Sequence, residues 1–157
     1  MIAFLTSSPA VGQDHTHLNP ANGLVSELEK VLPRPARGLF VCSDPDDFAF
    51  TDRFAGEMFA AFENAGFPVP LRSVLDHRNP EMAAELVKAA DLIILAGGPT
   101  LAQNRFFAEV HLREAMADFG GVVLGISAGT MNSAETVYVQ PELPGETRPE
   151  HPRFLPG

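Results

Sequence analysis

The chain has 157 residues, with 11 Lys+Arg against 20 Asp+Glu and a formal net charge of −9. That acidic balance argues against a nucleic-acid or anionic-membrane surface. A hydrophobic share of 45% with 20% charged residues excludes a disordered chain. At this length one domain spanning 1–157 is expected, burying roughly 70% of the surface its unfolded chain exposes. The single cysteine, Cys42, excludes an intrachain disulfide framework and fits a reducing compartment.

Met1 to Leu5 is apolar but meets Thr6-Ser7-Ser8-Pro9 at once and has no basic flank, so it reads as a strand over Ile2–Leu5 rather than a signal peptide. No stretch approaches the ~20 apolar residues of a membrane helix, and a cytoplasmic protein is expected. A polar segment from Ser7 to Asn22 follows, with Pro9, Gly12 and Pro20, and reads as a long functional loop. Leu24, Leu28 and Leu32 then mark a short helix.

Gly38 to Cys42 is the second strand, ended by Ser43-Asp44-Pro45-Asp46-Asp47, whose side chains favour turns and helix caps. From about Thr51 a helix puts Phe54, Met58, Ala61 and Phe62 on one face, and Ala65-Gly66 closes it. Val69 to Leu75 is the third strand, and Asn79-Pro80-Glu81 starts another helix. Asp91 to Ala96 is an apolar run of the kind buried on both sheet faces. Gly97-Gly98-Pro99-Thr100 breaks it and leads a helix to about Asp118; Gly121 to Gly125 then repeats the buried-strand pattern. Strands alternating with helical stretches predict an α/β fold around a mainly parallel sheet of about five strands. The tail from Glu135 to Gly157 holds five prolines and only Thr136–Val139 looks strand-like. It is expected to be extended, and the domain to be incomplete at its C-terminus.

Gly125-Ile126-Ser127-Ala128-Gly129 fits the G-x-S-x-G nucleophile elbow and stands where that motif belongs, after a buried strand and before a helix. The flanking glycines permit a tight, strained turn that presents the hydroxyl at the sheet edge. The N–H of Ala128 is the natural first donor to an oxyanion, and Gly98, after the neighbouring strand, the second. The plain alternatives are a glycine-rich turn that binds an anion or merely packs, and for Gly97-Gly98 a simple tight turn. An activated serine needs a base, usually histidine. His15 and His17 in the first loop and His77 after the third strand lie in segments that reach the right edge, though a solvated loop histidine is the ordinary case for each. His111 falls inside the predicted helix and His151 in the tail, and neither has a spacing that argues for catalysis. Asp14, His15 and His17 are too loosely spaced for a zinc site, and Asp44, Asp46 and Asp47 suit helix capping better than calcium, so no metal or cofactor is expected. Cys42, ending a buried strand, reads as an inert core thiol.

Leu95-Ala96-Gly97-Gly98-Pro99-Thr100 together with Val123-Leu124-Gly125-Ile126-Ser127-Ala128-Gly129-Thr130-Met131 resembles the peptidase E (aspartyl dipeptidase) family of serine peptidases. That family lies in the class I glutamine amidotransferase-like superfamily, which also contains cyanophycinase. The resemblance follows the element order over most of the chain, including Phe4-Leu5-Thr6-Ser7-Ser8. It implies a flavodoxin-like three-layer sandwich, with Ser127 as nucleophile and Gly98 and Ala128 as oxyanion-hole positions. Amidotransferases proper carry cysteine at the elbow, so serine disfavours glutamine hydrolysis. The family's histidine lies C-terminal to the serine, shortly after a Gly-Leu-Gly-Leu-like segment, and this chain stops at Phe154-Leu155-Pro156-Gly157, where that segment would start. Nothing around His151 matches the family's histidine.

The expected function is a serine hydrolase acting on short peptides, with the resemblance implying aspartyl dipeptides. Gln103 and Asn104, near the start of the helix after the glycine pair, are candidates for substrate contact, and Arg72 and Arg105 for binding an acidic group. The competing readings are a non-catalytic module that keeps the elbow, and a cyanophycinase-like or other acyl-transfer enzyme. Unpaired edges of an incomplete sheet make a homo-oligomer an expectation as well.

Overall fold

Along β1 (Ile2–Thr6), β4 (Arg37–Val41), β5 (Leu71–Leu75), β6 (Leu92–Leu95) and β7 (Val122–Ile126), apolar side chains dominate, and these runs pair as one parallel sheet. The chain is a computed structural model that describes residues 1–12, 14–139 and 153–157. Between the strands lie β2 (Ala10–Val11), β3 (His17–Leu18), α1 (Leu24–Val31), α2 (Phe48–Asn64), α3 (Ala83–Ala89), α4 (Thr100–Glu109) and α5 (Leu112–Ala115). After β7 come α6 (Ala128–Met131), β8 (Thr136–Val139) and β9 (Arg153–Pro156). The sheet order is β1-β7-β6-β4-β5, a flavodoxin-like α/β arrangement.

Period-two alternation divides the core between the two faces. Phe40, Ile94, Val122 and Leu124 pack against Leu28 of α1 and Met58, Phe59 and Phe62 of α2. Leu39, Val41, Ile93, Leu95 and Val123 face the other way, onto Val87 of α3, Phe106 of α4 and Leu112 of α5. Every residue of β6 and β7 is buried, as central strands require, whereas Ile2 and Leu5 on the outer strand β1 are exposed. Because all five strands are parallel, their carboxyl ends share one edge, where Thr6, Cys42, Asp76, Ala96 and Ser127 follow or finish the strands.

Several boundaries differ from the sequence reading. The segment after β1 holds a two-stranded antiparallel ribbon, β2–β3, and a 3-10 turn over Ala21–Gly23. α2 starts at Phe48, because Asp47 accepts the Phe50 N–H at 3.0 Å and caps the helix. β5 begins only at Leu71, since Pro70 has no N–H to give the ladder. The helix expected to run to Asp118 breaks at His111, which sits at φ 51° between α4 and α5. At about 100° per residue, Leu112 of an unbroken helix would point some 160° away from Val110 and out of the core. The break turns it inward, and Phe106, Val110 and Leu112 are all buried. In the described parts of the proline-rich tail, β8 and β9 pair antiparallel, Thr136 opposite Pro156 and Val139 opposite Arg153. Of the described residues, no helix is long and apolar enough to cross a membrane.

Candidate active site

β7 ends at Ile126, and the next residue, Ser127, has φ 47° and ψ −105°. A non-glycine residue in that region carries strain of about 1–3 kcal/mol and persists only where its surroundings enforce it. Here they do. The Ser127 N–H donates to the Thr6 carbonyl at 2.9 Å, the Ser127 carbonyl accepts from the Met131 N–H at 3.0 Å, and the Gly129 N–H donates to Ala96 O at 3.1 Å. Thr130 Oγ1 donates to Thr6 O at 2.8 Å and accepts from the Thr6 N–H at 3.1 Å, while Thr6 Oγ1 donates to Gly125 O at 2.8 Å. The turn is thereby tied to both neighbouring strands, and Ser127 itself is exposed at the edge. The two motif glycines have a steric reason. A Cβ on Gly129 would lie 2.7 Å from the Leu95 carbonyl carbon, and one on Gly125 would lie 2.9 Å from Thr130 Oγ1.

Next to this turn runs the loop after β6. A Cβ on Gly97 would stand 3.2 Å from Ile126 Cγ2, a tight approach, and 3.5 Å from Ser127 Cβ, so the two strand ends lie side by side. Gly98 has φ 147°, and a Cβ there would lie 2.8 Å from Ser43 Cβ. Ala128, the first residue of the single-turn α6, has no intrahelical carbonyl within reach of its N–H.

Gln103 and Asn104 are placed differently from the expected substrate contacts. Gln103 is fully buried; its Nε2 donates to Cys42 O at 3.1 Å and Ala96 O at 2.8 Å, and its Oε1 accepts from Asn132 Nδ2 at 2.9 Å. It ties the ends of β4 and β6 to the end of α6, because it shares the buried face of α4 with Phe106. Asn104, one residue further round, donates from Nδ2 to Pro156 O at 2.7 Å and so holds β9. Of the two arginines considered, Arg72 lies near the amino end of β5, paired with Glu63 and donating to Val69 O at 2.8 Å, away from the edge that carries Ser127. Arg105 is exposed on α4.

None of the described histidines approaches the serine. Asn64, the last residue of α2, donates to Thr16 O at 2.9 Å; α2 descends from the carboxyl edge, so His15 and His17 lie toward the opposite edge. His77 does follow β5 at the correct edge, but β5 is three strands from β7, about 14 Å at ~4.8 Å per strand. Its ring is committed there: Nδ1 lies 2.8 Å from Asp46 Oδ1 and Nε2 3.3 Å from Glu109 Oε2, with the Phe106 ring edge-on at 5.2 Å. The hydrogen bond to Asp46 raises the His77 pKa above its ordinary value, against burial and with help from Glu109. Arg78 beside it pairs with the buried Asp76 at 2.6 Å and with Asp52, which hold the guanidinium firmly protonated. His111 sits at the far end of α4, and His151 lies outside the described residues.

Burial pushes the Cys42 thiol far up, in keeping with a core role. Among the described residues no group of three or more His, Cys, Asp or Glu side chains is placed to hold a metal ion. Sequence reasoning passed over Thr130, Asn132 and Ser43. Thr130 had a signal, standing one residue after the elbow glycine on the short helix; the roles of the other two depend on packing between strand ends and have none.

No family model matches the chain. No curated protein matches it either. Among solved structures it is similar to a peptidase from an acI-B1 Actinobacterium, with 18% identity and a TM-score of 0.43, over 64% of this chain and 44% of that one. The chain thus spans less than half the length of that peptidase.

Proposed function

We propose that this chain is a serine hydrolase of peptidase E type that cleaves short peptides through an acyl-enzyme on Ser127. The observation that carries this reading is the backbone of Ser127, an exposed serine held at φ 47° and ψ −105° between two glycines for which a side chain has no room. Strain of this kind is retained where it presents a reactive group. Ser127 Oγ attacks the peptide carbonyl, and the N–H groups of Gly98 and Ala128 donate to the oxyanion that forms. The C–N bond breaks, the amine leaves with a proton, and water then hydrolyses the ester on Ser127. The base that takes the serine proton comes from beyond the described residues, since His15, His17, His77 and His111 are all placed elsewhere. For an aspartyl substrate, Arg105 is the cation on the element that follows the glycine loop.

The test is hydrolysis of a dipeptide panel, with and without an N-terminal aspartate, by the native chain and by Ser127→Ala. Turnover that disappears in the variant is expected. Turnover equal in both proteins would sink the serine mechanism.

A second reading, a binding module that keeps the elbow without turnover, is favoured by one observation: among the described residues no side chain hydrogen-bonds Ser127 Oγ. It predicts calorimetric binding of short peptides with no product formed, unchanged by Ser127→Ala.

A further inference from the structure

Ser43 is 1% exposed, and its hydroxyl has no hydrogen-bond partner among the described residues. A buried hydroxyl in that state destabilises the fold, and replacing it with a methyl-sized group is nearly neutral or favourable. Thr51 Oγ1 and Asn132 Oδ1 are also without a partner among the described residues, but Ser43 alone of the three stands against the Gly97-Gly98 loop, where a turn of one peptide would supply an acceptor. The position of Ser43 identifies that acceptor. β6 lies between β7 and β4 in the sheet, so the Gly97-Gly98 loop after β6 has Ser127 on one side and Ser43 on the other. Ser43 Oγ and Cβ occupy the space a Gly98 side chain would take, while Gly98 itself is exposed.

A trans peptide points its N–H and C=O in opposite directions. When the Gly98 N–H turns toward an oxyanion on Ser127, the Gly97 carbonyl turns away from it, toward the β4 side where the Ser43 hydroxyl waits. We propose that Ser43 is a positioning residue: its hydroxyl donates to the Gly97 carbonyl and holds the Gly97-Gly98 peptide in the orientation that aims the Gly98 N–H at the reacting carbonyl. This inference rests on the hydrolase reading for its purpose, but the hydrogen bond it names belongs to the second orientation of the peptide and forms there with or without turnover. Gly98 at φ 147° is free of the restraint a side chain would impose on its backbone.

The experiment compares native chain and Ser43→Ala in three readouts. The thermal midpoint is expected to stay level or rise, because an unpaired polar atom is removed. The Gly98 amide is expected to change its NMR shift and its microsecond-to-millisecond exchange, because one of two peptide orientations loses its partner. Labelling of Ser127 by a fluorophosphonate is expected to slow by about tenfold, since an oxyanion donor is less well aimed. A midpoint lowered by more than about 3 °C, or loss of the fold, would show an ordinary structural hydrogen bond and overturn the proposal. So would a Gly98 amide identical in both proteins, or an unchanged labelling rate. If the native chain takes no label, the hydrolase reading fails instead, and the Gly98 amide and midpoint still decide the role of Ser43.

Discussion

The carboxyl edge of the sheet is built in two contrasting ways. Where β7 and β6 end, it consists of small residues under backbone constraint: Ser127 at positive φ, Gly98 at φ 147°, and Gly129 seated on the Leu95 carbonyl. Toward β5 it is a web of charges, with His77 between Asp46 and Glu109 and Arg78 between Asp52 and Asp76. The first region keeps a serine hydroxyl and backbone donors uncommitted at some cost in stability. The second commits its charged groups to one another. The proposed function places chemistry with the uncommitted groups, while His77, with both nitrogens engaged, belongs to the paired ones.

Substitutions in the two regions should therefore differ in kind. The largest effect is expected for Gly129→Ala, whose methyl meets the Leu95 backbone: a loss of about 3 kcal/mol in urea unfolding. Next comes Arg78→Met, which strands the buried Asp76 carboxylate. About 2 kcal/mol is expected, less than for a fully buried pair because the Arg78 side chain is 42% exposed. Ser127→Gly should act in the opposite direction, gaining about 1 kcal/mol as positive-φ strain is relieved, which a shifted urea midpoint would show. No gain there would remove the contrast between the two regions.

The smallest effect is on pH dependence. His77 has a raised pKa in the folded chain, so its contribution is fully present below about 6.5, the unfolded value, and fades as pH rises through the folded one. Asp91, lowered chiefly by its hydrogen bond from Arg37 at the opposite edge, contributes above its ordinary value near 3.8 and loses that as pH falls. Unfolding curves for His77→Gln should lack the fall above pH 6.5 and keep the acid limb.

Much of this was legible in the residues. Uninterrupted apolar runs such as Leu92–Leu95 announce central strands because they are buried on both faces, and a G-x-S-x-G segment between strand and helix announces a constrained turn. The break at His111 was hidden, because local helix propensity continues through it and only the packing of Leu112 interrupts it. The web around His77 joins residues 46, 77 and 109, brought together only by the strand order. Gln103 looked like a substrate-facing amide because spacing along one helix cannot show that its partners are strand-end carbonyls.

The central claim is that the backbone at Ser127 presents an activated hydroxyl. Intact-mass analysis after treatment with a fluorophosphonate, run beside Ser127→Ala, tests it most directly. A single adduct on the native chain that is absent from the variant is the predicted result; no adduct, or one that persists in Ser127→Ala, would contradict it.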